Sequence, residues 1–201
     1  MSDSIYIKSL LGGMAISIGG LAFLSVGGGV IGAFLFSIGL VSICVFDYRL
    51  FTGFVCSVGS IEDAIDAIAV LVGNMLGTIL CGAAIRMVKP EIIDFAHGIC
   101  EKKLDEGMNV VLLGMFCNVL IFFAVTAWKR MQGSGALIIV LCVMVFILAG
   151  TEHSIANMFY FTIGGSAEMS DRILWYIPLN VLGNALGGIG IYRLTKGNQT
   201  Q

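Results

Sequence analysis

The sequence predicts an all-α membrane protein, with six transmembrane helices in a single domain. Of its 201 residues, 58% are hydrophobic and only 12% are charged, and the mean hydropathy is +0.98. Soluble domains have about twice that share of charged residues, so these values indicate a polytopic membrane chain. The apolar residues also fall into stretches long enough to cross a hydrocarbon core of roughly 30 Å as helices. A net charge of −2, without a basic run, argues against a nucleic-acid partner.

Six stretches fit a window of about 20 residues. The N-terminal stretch has no small-residue cleavage site, so we interpret it as a retained span and not as a signal peptide. Only Gly27 to Gly29 separate the first two stretches, and so short a connection predicts antiparallel neighbours. The predicted spans lie near residues 9–27, 30–47, 64–86, 108–128, 135–158 and 173–192.

Polar residues interrupt the second and fifth spans. In "DYRLFTG" (residues 47–53), Asp47 and Arg49 stand before a further short apolar piece, and in "GTEHSIANM" (residues 150–158), Glu152 stands next to His153. Irregular backbone at membrane depth is tolerated where protein or a water-filled cavity covers it. We therefore expect both helices to be broken and to line a pathway. Arg49 has two interpretations, a pairing with Asp47 or an effect on the permeating species.

A repeated pattern predicts that the chain is a duplication. "GNMLG" (residues 73–77) in the third span returns as "GNALG" (residues 183–187) in the sixth. Each half, about 1–88 and about 89–201, holds three spans, so an odd number of crossings inverts the second half relative to the first. The two broken helices then occupy matching positions and meet near the midplane of the bilayer.

The Glu152–His153 pair is the main candidate site. A charged group at the bilayer centre costs about 2.5–3.5 kcal/mol or more, so an ionisable residue there is a functional hypothesis by default. Glu152 also has a structural interpretation, as an acceptor for backbone amides of the broken helix. The other of the two histidines, His97, lies in a polar stretch that we expect to be a solvated loop.

Three segments resemble the formate/nitrite transporter family. They are "EHSIANM" (residues 152–158), "GLVSICVFDYRLFTG" (residues 39–53) with its "LFT", and "LLGMFCNVLIFFAVTAW" (residues 112–128), which is built around an asparagine. Their order and content are more specific than the glycine repeat. The resemblance implies homopentamers of aquaporin-like protomers, each with its own anion pore.

The resemblance also implies roles for particular residues. His153 matches the central pore histidine, Asn118 matches the asparagine that faces it, and Thr52 matches the pore threonine. Glu152 and Asn157 belong to the same motif, and Lys102, next to Lys103, matches a vestibule lysine that draws anions in. An ordinary solvated charge is the alternative for Lys102. The two implied apolar constrictions consist of Phe36, Leu40 and Phe146 on one side, and of Leu50, Phe51 and Ile121 on the other.

The expected function is a channel or transporter for small monovalent anions of weak acids, with formate first and nitrite or hydrosulfide as alternatives. A neutral-solute channel of aquaporin type would share the inverted repeat, although "NPA"-like tripeptides are absent from the sequence. A membrane redox subunit would need two axial histidines for haem, and only His153 is placed for that. The six cysteines form no CxxC pair. We expect no enzyme activity, no cofactor and no metal.

The expected partners are the anion (formate, nitrite, hydrosulfide or lactate), H⁺ and the lipid bilayer. Basic residues divide evenly between the two sides, so the positive-inside rule does not set the orientation. The resemblance implies a bacterial inner membrane with both termini in the cytoplasm. The sequence does not choose among the anions, which all have neutral acids.

Overall fold

A computed structural model describes residues 3–131 and 134–197, and no β-strand occurs in these ranges. The parts of the predicted 1–201 domain at 1–2, 132–133 and 198–201 lie outside the described residues. The all-α prediction is therefore confirmed for the described chain. The helices are α1 (Asp3–Ser25), α2 (Gly29–Val45), α3 (Phe51–Phe54), α4 (Ile61–Val88), α5 (Ile93–Asp105), α6 (Asn109–Arg130), α7 (Ala136–Leu148), α8 (Ser154–Gly164) and α9 (Ser170–Gly197).

Four of these helices, α1, α4, α6 and α9, are long and apolar enough to cross a membrane. The helices α2 and α7 are also apolar but shorter, because each stops where the sequence predicts a break. α1 packs against α2 and α4, and α6 packs against α7 and α9. Gly77 and Gly187 lie at these contacts, where an added Cβ would meet the backbone carbonyls of Leu10 and Met115. Glycine therefore permits the close approach of each helix pair.

The two breaks divide the chain into shorter helices than the predicted spans. After α2, Asp47 has a φ of 53°, and the chain turns back into the four-residue α3. After α7, Gly150 has a φ of 67°, and α8 begins only at Ser154. The predicted fifth span, 135–158, is thus two helices, because the polar residues after Leu148 end the first one.

The prediction of a solvated loop around His97 is wrong, because this residue lies in the helix α5. Ala96, Cys100 and Leu104 are buried at intervals of four residues, so they form one apolar face of this helix. α5 packs against α8 through that face. The Nδ1 atom of His97 lies 2.8 Å from the carbonyl oxygen of Gly164 at the end of α8. A window set to transmembrane length does not detect an amphipathic helix of 13 residues.

Candidate functional site

A cavity of about 400 Å³ opens on one side of the two helix breaks. Its lining includes His153 at the start of α8, the rings of Phe36 and Phe146, and the side chains of Lys102 and Lys103 on α5. Phe36 and Phe146 meet edge to face with ring centroids 5.9 Å apart, and both are buried. Glu106 and Glu152 also line it, so the cavity combines two lysines and two glutamates with buried aromatic rings.

His153 lies at the base of this cavity and is only 2% exposed. It is the N-cap of α8, where its Nδ1 accepts a hydrogen bond of 3.2 Å from the backbone N–H of Ala156. A neutral imidazole with Nδ1 as acceptor carries its proton on Nε2. Nε2 lies 3.2 Å from Oγ1 of Thr52, so this N–H donates to the threonine hydroxyl. The helix cap therefore selects one tautomer and holds the pair together.

The Phe146 ring fixes the imidazole from a second direction. It stacks on His153 with ring centroids 5.8 Å apart and planes 25° apart. Thr52 comes from α3 and His153 from the residue before α8, so the two short helices that follow the breaks meet at this hydrogen bond. The hydroxyl hydrogen of Thr52 stays available for another acceptor.

Glu152 is the buried acid of the site, with a side chain 4% exposed. Its Oε2 accepts a bond of 2.7 Å from Nζ of Lys103 and one of 2.6 Å from Nδ2 of Asn157. Nζ of Lys103 also lies 5.9 Å from the ring centroid of Tyr160. The structural interpretation of Glu152 expected donors from the backbone of the broken helix. Its Oε2 instead accepts from the side chains of Lys103 and Asn157, and the charge of Lys103 compensates that of the carboxylate.

Lys102 and Lys103 both line the cavity but have different surroundings. Lys102 is exposed, whereas the Lys103 side chain is 15% exposed and carries the ion pair with Glu152. The resemblance matched Lys102, and not the adjacent Lys103, to the vestibule lysine. The structure assigns the buried contact to Lys103, which the sequence analysis did not include among the site residues.

Two asparagines of the repeated "GNxLG" pattern organise the breaks in the same way. Oδ1 of Asn74 accepts from the N–H of Phe51 at 2.8 Å, and its Nδ2 donates to the carbonyl of Arg49 at 2.8 Å. Oδ1 of Asn184 accepts from the N–H of Ser154 at 2.9 Å, and its Nδ2 donates to the carbonyl of Glu152 at 2.8 Å. Each amide thus satisfies the first N–H of a short helix that follows a break. The repeat identified these positions, but the sequence analysis gave them no role.

A second cavity, of about 310 Å³, is lined by the α2–α3 connection and by residues near the end of α6. Leu40 and Leu50 border it, so Leu40 lies on the opposite cavity from Phe36 and Phe146, with which the resemblance grouped it. Phe51 and Ile121 are buried in the core. Neither of these two side chains lines either cavity.

The charges of the second cavity are unbalanced. Asp47 is paired with Lys8 and not with Arg49, which corrects one of the two interpretations of Arg49. The guanidinium of Arg49 lies 5.6 Å from the ring centroid of Phe54. Among the described residues, neither Arg49 nor Lys129 forms an ion pair with a carboxylate. Both cations line this cavity, so it favours an anion.

Asn118, which the resemblance places opposite His153, forms its hydrogen bonds elsewhere. Its Nδ2 donates to the carbonyl of Asn184 at 2.7 Å and lies 3.8 Å from Sγ of Cys56, while its buried Oδ1 has no partner within the described chain. No hydrogen bond joins it to His153 in that part of the chain. Asn118 therefore stabilises the contact of α6 with α9 in this structure.

The side chains that could ligate a metal are dispersed in the described residues. These residues contain no group of three or more His, Cys, Asp or Glu side chains that could hold a metal ion. His97 is hydrogen-bonded to the end of α8, whereas His153 caps its beginning, so the two histidines lie at opposite ends of that helix.

Comparison with known proteins supports the sequence resemblance. The family described as formate/nitrite transporter matches residues 2–196. The uncharacterized transporter YwcJ of Bacillus subtilis is 32% identical over 59% of this chain and 50% of its own length. The nitrite transporter NirC of Escherichia coli is 28% identical over 76% of this chain and 65% of its own length. The matched segment thus spans about half to two thirds of these relatives.

Two solved structures have the same fold. One, an FNT family ion channel, superimposes with a TM-score of 0.91 at 20% identity and covers 98% of this chain and 90% of its own. The other, a pentameric formate channel with formate bound, gives a TM-score of 0.83 at 21% identity and covers 96% of both chains. At these identities the similarity establishes the fold.

Proposed function

The chain belongs to the formate/nitrite transporter family, and we propose that it is a channel or transporter for small monovalent anions of weak acids, with formate as the first candidate. The observation that carries this proposal is the Thr52–His153 pair at a cavity that the exposed Lys102 also lines, next to buried aromatic rings. The family is one of membrane transporters and not of enzymes, and the apolar helices agree with an integral membrane protein.

The proposed path runs between the two cavities. Lys102 raises the local anion concentration in the first cavity, and Arg49 and Lys129 do so in the second. Between them, transfer of a bare ion past apolar rings costs tens of kcal/mol by Born solvation. Protonation of an acid whose pKa lies three units below ambient pH costs only about 4 kcal/mol. The anion therefore crosses the narrow region as, or close to, the neutral acid.

His153 acts in this proposal as an oriented donor. Its Nδ1 is occupied by the helix cap, so a second proton on the ring would disrupt the bond from Ala156. Nε2–H donates to Thr52, so it orients the Thr52 hydroxyl, whose hydrogen is then the donor that meets the permeating acid. Asn157 donates to Glu152, the residue before His153, and so holds it in place. Asn118 supports the contact between the adjoining helices α6 and α9. Glu152 itself is neutralised by Lys103 and does not repel the anion.

We further propose that six membrane crossings form an inverted repeat with halves at about 1–88 and 89–201. The matching bonds of Asn74 and Asn184, and the matching helix pairs α1–α4 and α6–α9, support this arrangement. The homopentamer is a proposal supported by the pentameric formate channel of the same fold. A bacterial inner membrane agrees with the bacterial relatives, and the cytoplasmic termini follow from the family resemblance.

Nitrite is the second candidate because three of the similar transporters are named for it. Hydrosulfide and lactate share the same chemistry, since each forms a neutral acid. A neutral-solute channel of aquaporin type would also pass the Thr52–His153 pair, but it would gain nothing from the cations in both cavities.

Flux into liposomes that contain the purified protein tests the proposal. Wild-type protein is expected to admit formate and nitrite faster than glycerol or urea. Replacement His153→Leu removes the Nε2 donor and is expected to abolish or alter this preference. Unchanged formate flux in the variant, with unchanged protein content, would refute the role of the histidine. Faster entry of the neutral solutes than of formate would refute the anion pathway.

A further inference from the structure

A third cavity, of about 290 Å³, lies between the end of α6, the end of α9 and the segment around α3. It adjoins the second cavity, and the two share Gly53, Ser57, Val125 and Lys129, but Arg130, Tyr192, Thr195 and Lys196 line this cavity and not the second. Its lining includes three basic residues, Lys129, Arg130 and Lys196, and no acidic residue. None of the three forms an ion pair within residues 3–131 and 134–197.

The position of these cations defines the kind of ligand. Lys129 and Arg130 occupy the last turn of α6, and Lys196 occupies the last turn of α9, so all three lie where two long apolar helices reach the same membrane surface. Single cations at helix ends complement the helix dipole and need no ligand. Three of them around one cavity, with no carboxylate in its lining, leave an excess of positive charge that the dipoles of two helix ends do not require.

The rest of the lining is suited to a lipid headgroup. Hydroxyls of Ser57, Thr126 and Thr195 border the cavity, and so do the rings of Phe122 and Tyr192. Outside it, the neighbouring residues Phe123 and Leu194 are 45% and 71% exposed, as expected of side chains that face acyl chains. Basic cavities between membrane helices at the surface of a bilayer are the usual sites for phosphate-bearing headgroups.

We propose that this cavity binds the phosphate of an anionic phospholipid at the membrane surface where α6 and α9 end. Arg130 offers a planar guanidinium that matches two phosphate oxygens, and the two lysines act as point charges beside it. The ammonium of Lys196 lies 4.9 Å from the ring centroid of Tyr192, which restricts its motion near the cavity.

Native mass spectrometry of the full chain, with added phosphatidylglycerol or phosphatidylcholine, tests this site. The variant K129Q/R130Q/K196Q removes all three cations, and Lys196→Gln alone is a milder change in the last turn of α9. Arg193→Gln is the matched control, because Arg193 is exposed on the same turn of α9 but does not line the cavity. Thermal unfolding of every variant in detergent monitors the fold.

Wild-type protein is expected to retain phosphatidylglycerol over phosphatidylcholine. Loss of each cation is expected to weaken this preference about fivefold, and the triple change about a hundredfold, with Arg193→Gln unchanged. If the triple variant misfolds, Lys196→Gln alone still has to give its fivefold loss. Equal losses for Arg193→Gln and Lys196→Gln, or retention unchanged by both, would overturn the site. Binding of soluble glycerol phosphate as tightly as the lipid would assign the cavity to a free phosphate instead.

Discussion

Removal of the Lys103 ammonium is expected to destabilise the fold strongly, whereas removal of the adjacent Lys102 ammonium is not. In Lys103→Met, the Glu152 carboxylate loses its partner at 2.7 Å while its side chain remains 4% exposed. Breaking a buried ion pair from one side costs about 3–5 kcal/mol, because the remaining charge is uncompensated. Asn157 still donates to the same oxygen, and Lys103 borders a cavity, so we expect the lower end, about 3 kcal/mol.

The assay is reversible unfolding of the purified protein by increasing SDS in a mild detergent, followed by intrinsic fluorescence. The matched control Lys102→Met alters an exposed side chain on the next position of α5 and is expected to change stability by less than about 0.5 kcal/mol. The double variant Lys103→Met/Glu152→Gln removes the stranded charge, so it is expected to recover about 2 kcal/mol of the loss. Equal stability of the two single variants, or no recovery in the double variant, would refute the buried pair.

Three further changes test the supporting structure. Asn184→Leu leaves the buried N–H of Ser154 without its acceptor, and a loss of about 1–3 kcal/mol is expected in the same unfolding assay. Gly188→Ala places a methyl group against a buried amide and is expected to cost about 1–3 kcal/mol, whereas Gly190→Ala, which has open space, is expected to be nearly neutral. Lys102→Ala is expected to slow formate flux most at low external concentration, and an equal loss at saturation would contradict its role in enrichment.

The helix breaks and the central residues could be predicted from sequence because their signals are local. Polar residues inside apolar runs mark the two breaks, and "EHSIANM" identifies Glu152 and His153 as a pair. The family assignment is confirmed by the match over residues 2–196. These features depend on residue type and order along the chain, which a sequence contains directly.

The partners of the site depend on how helices are rotated, and this could not be predicted. Adjacent residues of an α-helix point about 100° apart, so the setting of α5 decides whether Lys102 or Lys103 reaches Glu152. The setting of α6 likewise directs Asn118 to the backbone of Asn184. α5 itself was missed because its apolar face occupies every fourth position of a short helix and does not fill a transmembrane window.

The central claim is that the permeating species crosses the apolar region without a net charge. The most direct test is formate uptake by proteoliposomes with equal potassium concentrations inside and outside, so that valinomycin lets K⁺ enter with the anion, measured with and without valinomycin over a range of external pH. The account predicts uptake that does not need valinomycin and that rises about tenfold for each unit of external acidification while the acid is mostly ionised. Uptake that requires valinomycin and is independent of external pH would mean that the bare anion crosses, and it would contradict the account.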